Sequence, residues 1–143
     1  MSEIYETLLT CMQQKLIFIT QFSNLTKQME VRSRQEDIDL GDLLQRRQNL
    51  LERIGKCDEL ISKTLQDSGS PQLRGIVSGL SLPEGSGDKD RRLFELACEY
   101  YRLLEESVAG NQKVQELIQK SYNEAKEALK TLSADRKHTK MFR

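Results

Sequence analysis

A chain of 143 residues with 22 basic and 22 acidic side chains is the size of one domain and carries no net charge, so no general field draws it to nucleic acid or acidic membranes. With 31% charged and 6% aromatic residues, its composition suits a helical bundle rather than a β-sandwich or an α/β enzyme. The longest uninterrupted apolar run, Leu16 to Ile19, is far too short for a membrane span, and an N-terminus bearing Glu3 and Glu6 lacks the basic flank of a signal peptide.

The first predicted helix covers residues 3–30. Ile4, Leu8, Met12, Leu16, Ile19, Phe22, Leu25 and Met29 follow one another in steps of three or four, the period of an amphipathic helix of about 40 Å. Between Glu30 and Ile38 the pattern lapses, which marks a bend. Asp39 then reads as an N-cap, with Asp42 near the positive end of the helix dipole. The second helix, 39–66, carries Leu40, Leu43, Leu44, Leu50, Leu51, Ile54, Ile61 and Leu65. Arg46, Arg47 and Gln48 interrupt that stripe, with their stems along the surface and their heads expected in water. Gly69 followed by Pro71 stops the helix. Two helices of near-equal length and a short connection predict an antiparallel hairpin.

Residues 67–88 hold most of the glycines and both prolines and read as a flexible loop. Within it Leu73, Ile76, Val77 and Leu80 have the spacing for a turn or two of helix capping the bundle. Asp88 or Asp90 caps the third helix, 89–133. One of its phases runs Ala97, Tyr100, Leu104, Ser107, Asn111, Val114, Ile118, Ser121, Ala125, Ala128 and Leu132, alternating threes and fours as in a coiled coil. Its length, about 60 Å, exceeds the hairpin's. Two outcomes follow from Gly110, the one weak point. If the helix runs straight through, its last 15–20 Å lacks cover and Leu117, Ile118, Tyr122, Ala125, Leu129 and Leu132 form a partner-binding strip. If it breaks there and folds back, the same residues close a four-helix bundle. Asn111 reads as a register-fixing core asparagine or as a contact to a partner. The fold class is therefore all-α: an antiparallel bundle of three long helices, a hairpin plus one long C-terminal helix, in a single domain with a basic tail at 135–143.

Catalytic signatures are lacking. The single histidine, His138, rules out Ser-His-Asp, Cys-His and multi-histidine metal sites, and no Walker or G-x-G-x-x-G pattern occurs. Cys11, Cys57 and Cys98 form an odd set without C-x-x-C spacing, which fits reduced thiols in a cytoplasmic protein. No enzyme activity, metal or cofactor is expected.

Two stretches resemble the FlgN-like flagellar export chaperones. The first is Asp39-Leu40-x-x-Leu43-Leu44-x-x-Arg47-Gln48-x-Leu50-Leu51-x-x-Ile54. The second is Asn111-Gln112-x-x-x-x-Leu117-Ile118-x-x-Ser121. The ending KHTKMFR departs from the tyrosine- and glycine-containing tail of that family. The resemblance implies a cytosolic chaperone that holds hook–filament junction proteins, and meets export machinery, through its C-terminal amphipathic helix. The competing expectation is a structural coiled-coil or adaptor protein that self-associates as a homo-oligomer without an export client.

Overall fold

The computed structural model describes residues 2–35 and 38–141, with side-chain surroundings to Ala134. Among the described residues there are four helices and no strand: α1 (Ser2–Arg32), α2 (Gly41–Ser68), α3 (Pro71–Val77) and α4 (Asp88–Met141). None is long and apolar enough to cross a membrane.

α1 forms for the reason its sequence gives: Leu8, Met12, Ile19, Phe22, Leu25 and Met29 share one face, and all are buried. It outruns the expected end at residue 30 because Ser33 stays inside the fold, its hydroxyl donating to the Met29 carbonyl at 2.7 Å. α2 starts two residues later than Asp39 predicted. Leu40 is the N-cap and makes no side-chain cap bond, while Asp39 accepts from the Gly41 amide at 3.1 Å. Gly69 ends α2 with φ of 63°, a left-handed conformation that costs glycine nothing, and its amide returns to the Gln66 carbonyl.

The expected flexible loop at 67–88 contains α3. Ser70 caps it by accepting from the Leu73 amide, Pro71 opens it, and Leu73, Ile76 and Val77 are buried against the start of α4. Leu80, grouped with them on spacing, is instead exposed, because the chain turns at Ser78 and leaves it outside.

α1 packs against both α2 and α4. Along α1 and α2 the contacts run in opposite order: Gln14 meets Cys57, and Met29 meets Arg47. Along α1 and α4 they run in the same order, with the Tyr5 hydroxyl donating to Asp90 at 2.6 Å and Lys27 near Glu106 at 3.3 Å. The core has two apolar clusters. One gathers Leu8, Met12, Ile61, Leu73, Leu93 and Leu96; the other gathers Ile19, Met29, Leu43, Leu50, Tyr100 and Val114. Lys15 lies between them, buried, its Nζ 2.6 Å from Asp58 and 4.1 Å from the centre of the Tyr100 ring. A buried ammonium needs both a counter-charge and a soft face, and here α2 supplies the first and α4 the second.

Of the two outcomes at Gly110 the straight one holds, and the expected end of α4 is corrected. The helix passes through Gly110 without a break, so the fold-back into a four-helix bundle does not occur. A Cβ at Gly110 would stand 2.9 Å from Thr26 Cγ2, so the glycine permits a close approach of α4 to α1 and is not a hinge. The backbone also continues to Met141, past the expected end at 133. The side chains of the expected basic tail, His138 included, lie outside the described residues.

Candidate partner-binding site

α4 has 54 residues and α1 has 31, which at 1.5 Å per residue makes about 80 Å against about 46 Å. Both helices begin at the same end of the bundle, where Tyr5 meets Asp90. α1 runs out beside Leu117 and Ser121, which share a cleft with Ser33, Arg34 and Gln35. Beyond that cleft, which extends to Glu124 and Ala125, α4 continues for about 24 Å with no neighbour among the described residues.

The face turned inward does not change at the exit. From Tyr100 through Ser107 and Val114 the stripe is buried on α1. Steps of four and three carry it on through Ile118, Ser121, Ala125 and Leu132. Of the residues expected to bind a partner, Leu117 is half-buried at the edge of the bundle. Ile118 and Ala125 are exposed, and Tyr122, Leu129 and Leu132 stand 62%, 67% and 62% open. They share one side of the arm. The other side is polar, with Gln119 donating to Asn123 at 3.1 Å and Lys130 facing Glu127 at 3.6 Å.

Reading α4 in one phase overlooks a second seam offset from the first: Tyr101, Leu104, Val108, Ile118, Tyr122, Leu129 and Leu132, again in heptad register. Tyr101 and Val108 are exposed although they lie beside the bundle. α2 contributes to the same flank. Arg47 reaches Asn111 of α4 and Asp58 reaches Lys15, which lies on Tyr100 of α4, and Leu44 and Leu51, at i−3 and i+4 from Arg47, share that face of α2 and are exposed. Testing both phases of the heptad would have found this seam in the sequence.

Arg47 does not hold its head in water as its neighbours Arg46 and Gln48 do. Its guanidinium stacks 4.6 Å from the Phe22 ring centre, and both Nη atoms donate to Asn111 Oδ1 at 3.2 Å. Burial lowers its pKa, and Nε has no partner among the described residues. Asn111 is thereby occupied inside the bundle, tying α4 to α2 at the level where the arm begins.

No protein-family model, curated protein or solved structure matches this chain. Among the described residues no group of three His, Cys, Asp or Glu side chains is placed to hold a metal ion. The arrangement offers an exposed apolar face on a continuous helical arm.

Proposed function

We propose that this protein is a non-enzymatic, helix-docking chaperone of the flagellar export type, working in the cytoplasm. In this reading α1, α2 and α4 form an antiparallel bundle of three long helices that serves as a holder, and the arm of α4 captures a helix of the client. One observation carries it: the apolar face buried up to Val114 continues through Ile118, Ala125 and Leu132, flanked by Tyr122 and Leu129, and all five stand exposed with no cover among the described residues. An amphipathic helix uses anchors at i, i+3, i+4 and i+7 to dock in this way. The FlgN-like stretches at Asp39–Ile54 and Asn111–Ser121 direct the choice of client to hook–filament junction proteins.

The test is calorimetric titration of the full chain with the terminal helical segment of a hook–filament junction protein. Binding is expected, and the double substitution Leu129→Glu, Leu132→Glu should weaken it more than 100-fold, since each leucine contributes roughly 2 kcal/mol on burial. An unaltered chain that fails to bind any such segment overturns the client. Binding that survives the double substitution overturns the site.

A further inference from the structure

We propose that the arm of α4 also docks on the flank of a second copy of this chain, giving a two-fold antiparallel dimer in which each arm covers the other's α2–α4 flank. This does not rest on the client reading above.

The second seam of α4 is self-complementary when reversed. Placing Tyr101 opposite Leu132 of a second copy brings Leu104 opposite Leu129 and Val108 opposite Ala125. Each large residue on the bundle side then faces a residue of the arm, with a and d positions alternating as antiparallel knobs-into-holes packing requires. The flanking charges agree with the same register. Glu105 falls opposite Lys126 and Gln112 opposite Gln119, and the two-fold axis generates each pair twice. Glu105 and Lys126 are exposed, and neither enters an ion pair among the described residues.

Leu44 and Leu51 supply the second wall. Arg47 binds Asn111 and Asp58 lies beside the Lys15–Tyr100 contact, so the two leucines stand level with α4 between Tyr101 and Gln115. A reversed arm lying along that stretch of α4 passes over both. Together these exposed apolar side chains offer roughly 700 Å² per copy, close to the ~800 Å² per partner of a standard stable interface. Self-pairing and client capture would then compete for Leu129 and Leu132.

Sedimentation equilibrium of the full chain at micromolar concentration tests this. The unaltered protein should be a dimer. Glu105→Lys or Lys126→Glu alone replaces two attractions with two repulsions and should raise the dimer dissociation constant roughly tenfold. The double variant Glu105→Lys, Lys126→Glu should restore it to within about twofold. All of these positions are exposed, and circular dichroism checks that each variant keeps its fold. A chain that remains monomeric at about 100 µM overturns the proposal, as does a double variant no tighter than the singles. A monomer that still binds the client segment refutes the pairing and leaves the client reading standing. A charge-swap-sensitive dimer that binds no client does the reverse.

Discussion

Substitution of Gly110 by alanine sets two effects of similar size against each other. Alanine is favoured over glycine inside a helix by about 1 kcal/mol. Its Cβ, however, would stand 2.9 Å from Thr26 Cγ2. Thr26 has little freedom to move away. It is 2% exposed, β-branched in the interior of α1, and its hydroxyl donates to the Phe22 carbonyl at 3.1 Å. Overpacking of this kind costs about 1–3 kcal/mol, so Gly110→Ala should lower stability by about 1 kcal/mol net. Thr26→Ser alone removes a buried methyl and should also cost about 1 kcal/mol. Together they should return close to the unaltered stability, because the alanine methyl takes the space the threonine methyl leaves. Urea denaturation of the four proteins, followed by circular dichroism, gives the coupling directly, expected near 2 kcal/mol. A Gly110→Ala chain more stable than the original, with an additive double variant, would refute the close approach of α1 and α4 at this point.

Other consequences are open to measurement. Asn111→Leu takes the only oxygen acceptor from both Nη atoms of Arg47, whose Nε is already alone, and should cost about 2–3 kcal/mol; Arg47→Met added to it removes the stranded charge and should recover most of the loss. Equal costs for the single and double variants in chemical denaturation would contradict this. The phenol pKa values of Tyr5, through its bond to Asp90 and then burial, and of Tyr100, through burial and then the Asp58 charge, are pushed up to about 12. Raised folded values mean that the stability from the neutral phenols is complete below the unfolded value near 10 and is lost as pH climbs toward 12. Thermal melts should fall over that window, less steeply in Tyr5→Phe, and melts unchanged across it would count against the contact. Burial raises the thiols of Cys11 and Cys57, while Cys98 is exposed. A disulfide reagent should therefore label one thiol quickly in the folded chain, and Cys98→Ser should remove that phase; three equal rates would contradict the burial.

Much of the fold was legible because apolar period and punctuation act locally. The stripe from Ile4 to Met29 and the Gly69–Pro71 stop each rest on residues within a few turns of one another. What escaped reading depends on partners far along the chain. Arg47 looks like a surface residue until Phe22 and Asn111 are brought to it from two other helices. Gly110 looks like a weak point until Thr26 is found against it. The far end of α4 was underestimated because the residues after Ser133 carry no apolar period, and a helix without a packed face leaves no stripe to count. As for the strip, comparing the helix length with that of the hairpin singled out Leu117 to Leu132. The same heptad read in its second phase would have added Tyr101 and Val108, whereas the exposure of Leu44 and Leu51 on α2 depends on how the helices pack.

The arm's own stability bears on what its leucines are for. An isolated helix of some twenty residues is marginal in water, because its first turn is costly to form. In α4 that turn is already formed by the half packed on α1, so the arm needs only to propagate. Its composition is suited to that, with Ala125, Lys126, Glu127, Ala128 and Lys130 all strong helix formers, helped by the Gln119–Asn123 and Lys130–Glu127 contacts. A peptide of residues 115–141 should accordingly lose most of its helicity when cut from the bundle. A free peptide as helical as it is in the intact chain would show that the arm is self-sufficient. Tyr122, Leu129 and Leu132 contribute little to this propagation, and water-exposed as they are, each leaves roughly 2 kcal/mol of burial unrealised. Four such residues with Ile118 hold roughly 6–8 kcal/mol in gross terms. After an association cost of at least about 4 kcal/mol, that falls short of the ~8 kcal/mol of micromolar binding, so the arm's side chains hold a helix reversibly only together with the apolar area that the helix itself buries. A tighter complex has to draw on Tyr101, Val108, Leu44 and Leu51 as well, so the affinity of whatever occupies the arm reports how far along the α2–α4 flank it reaches.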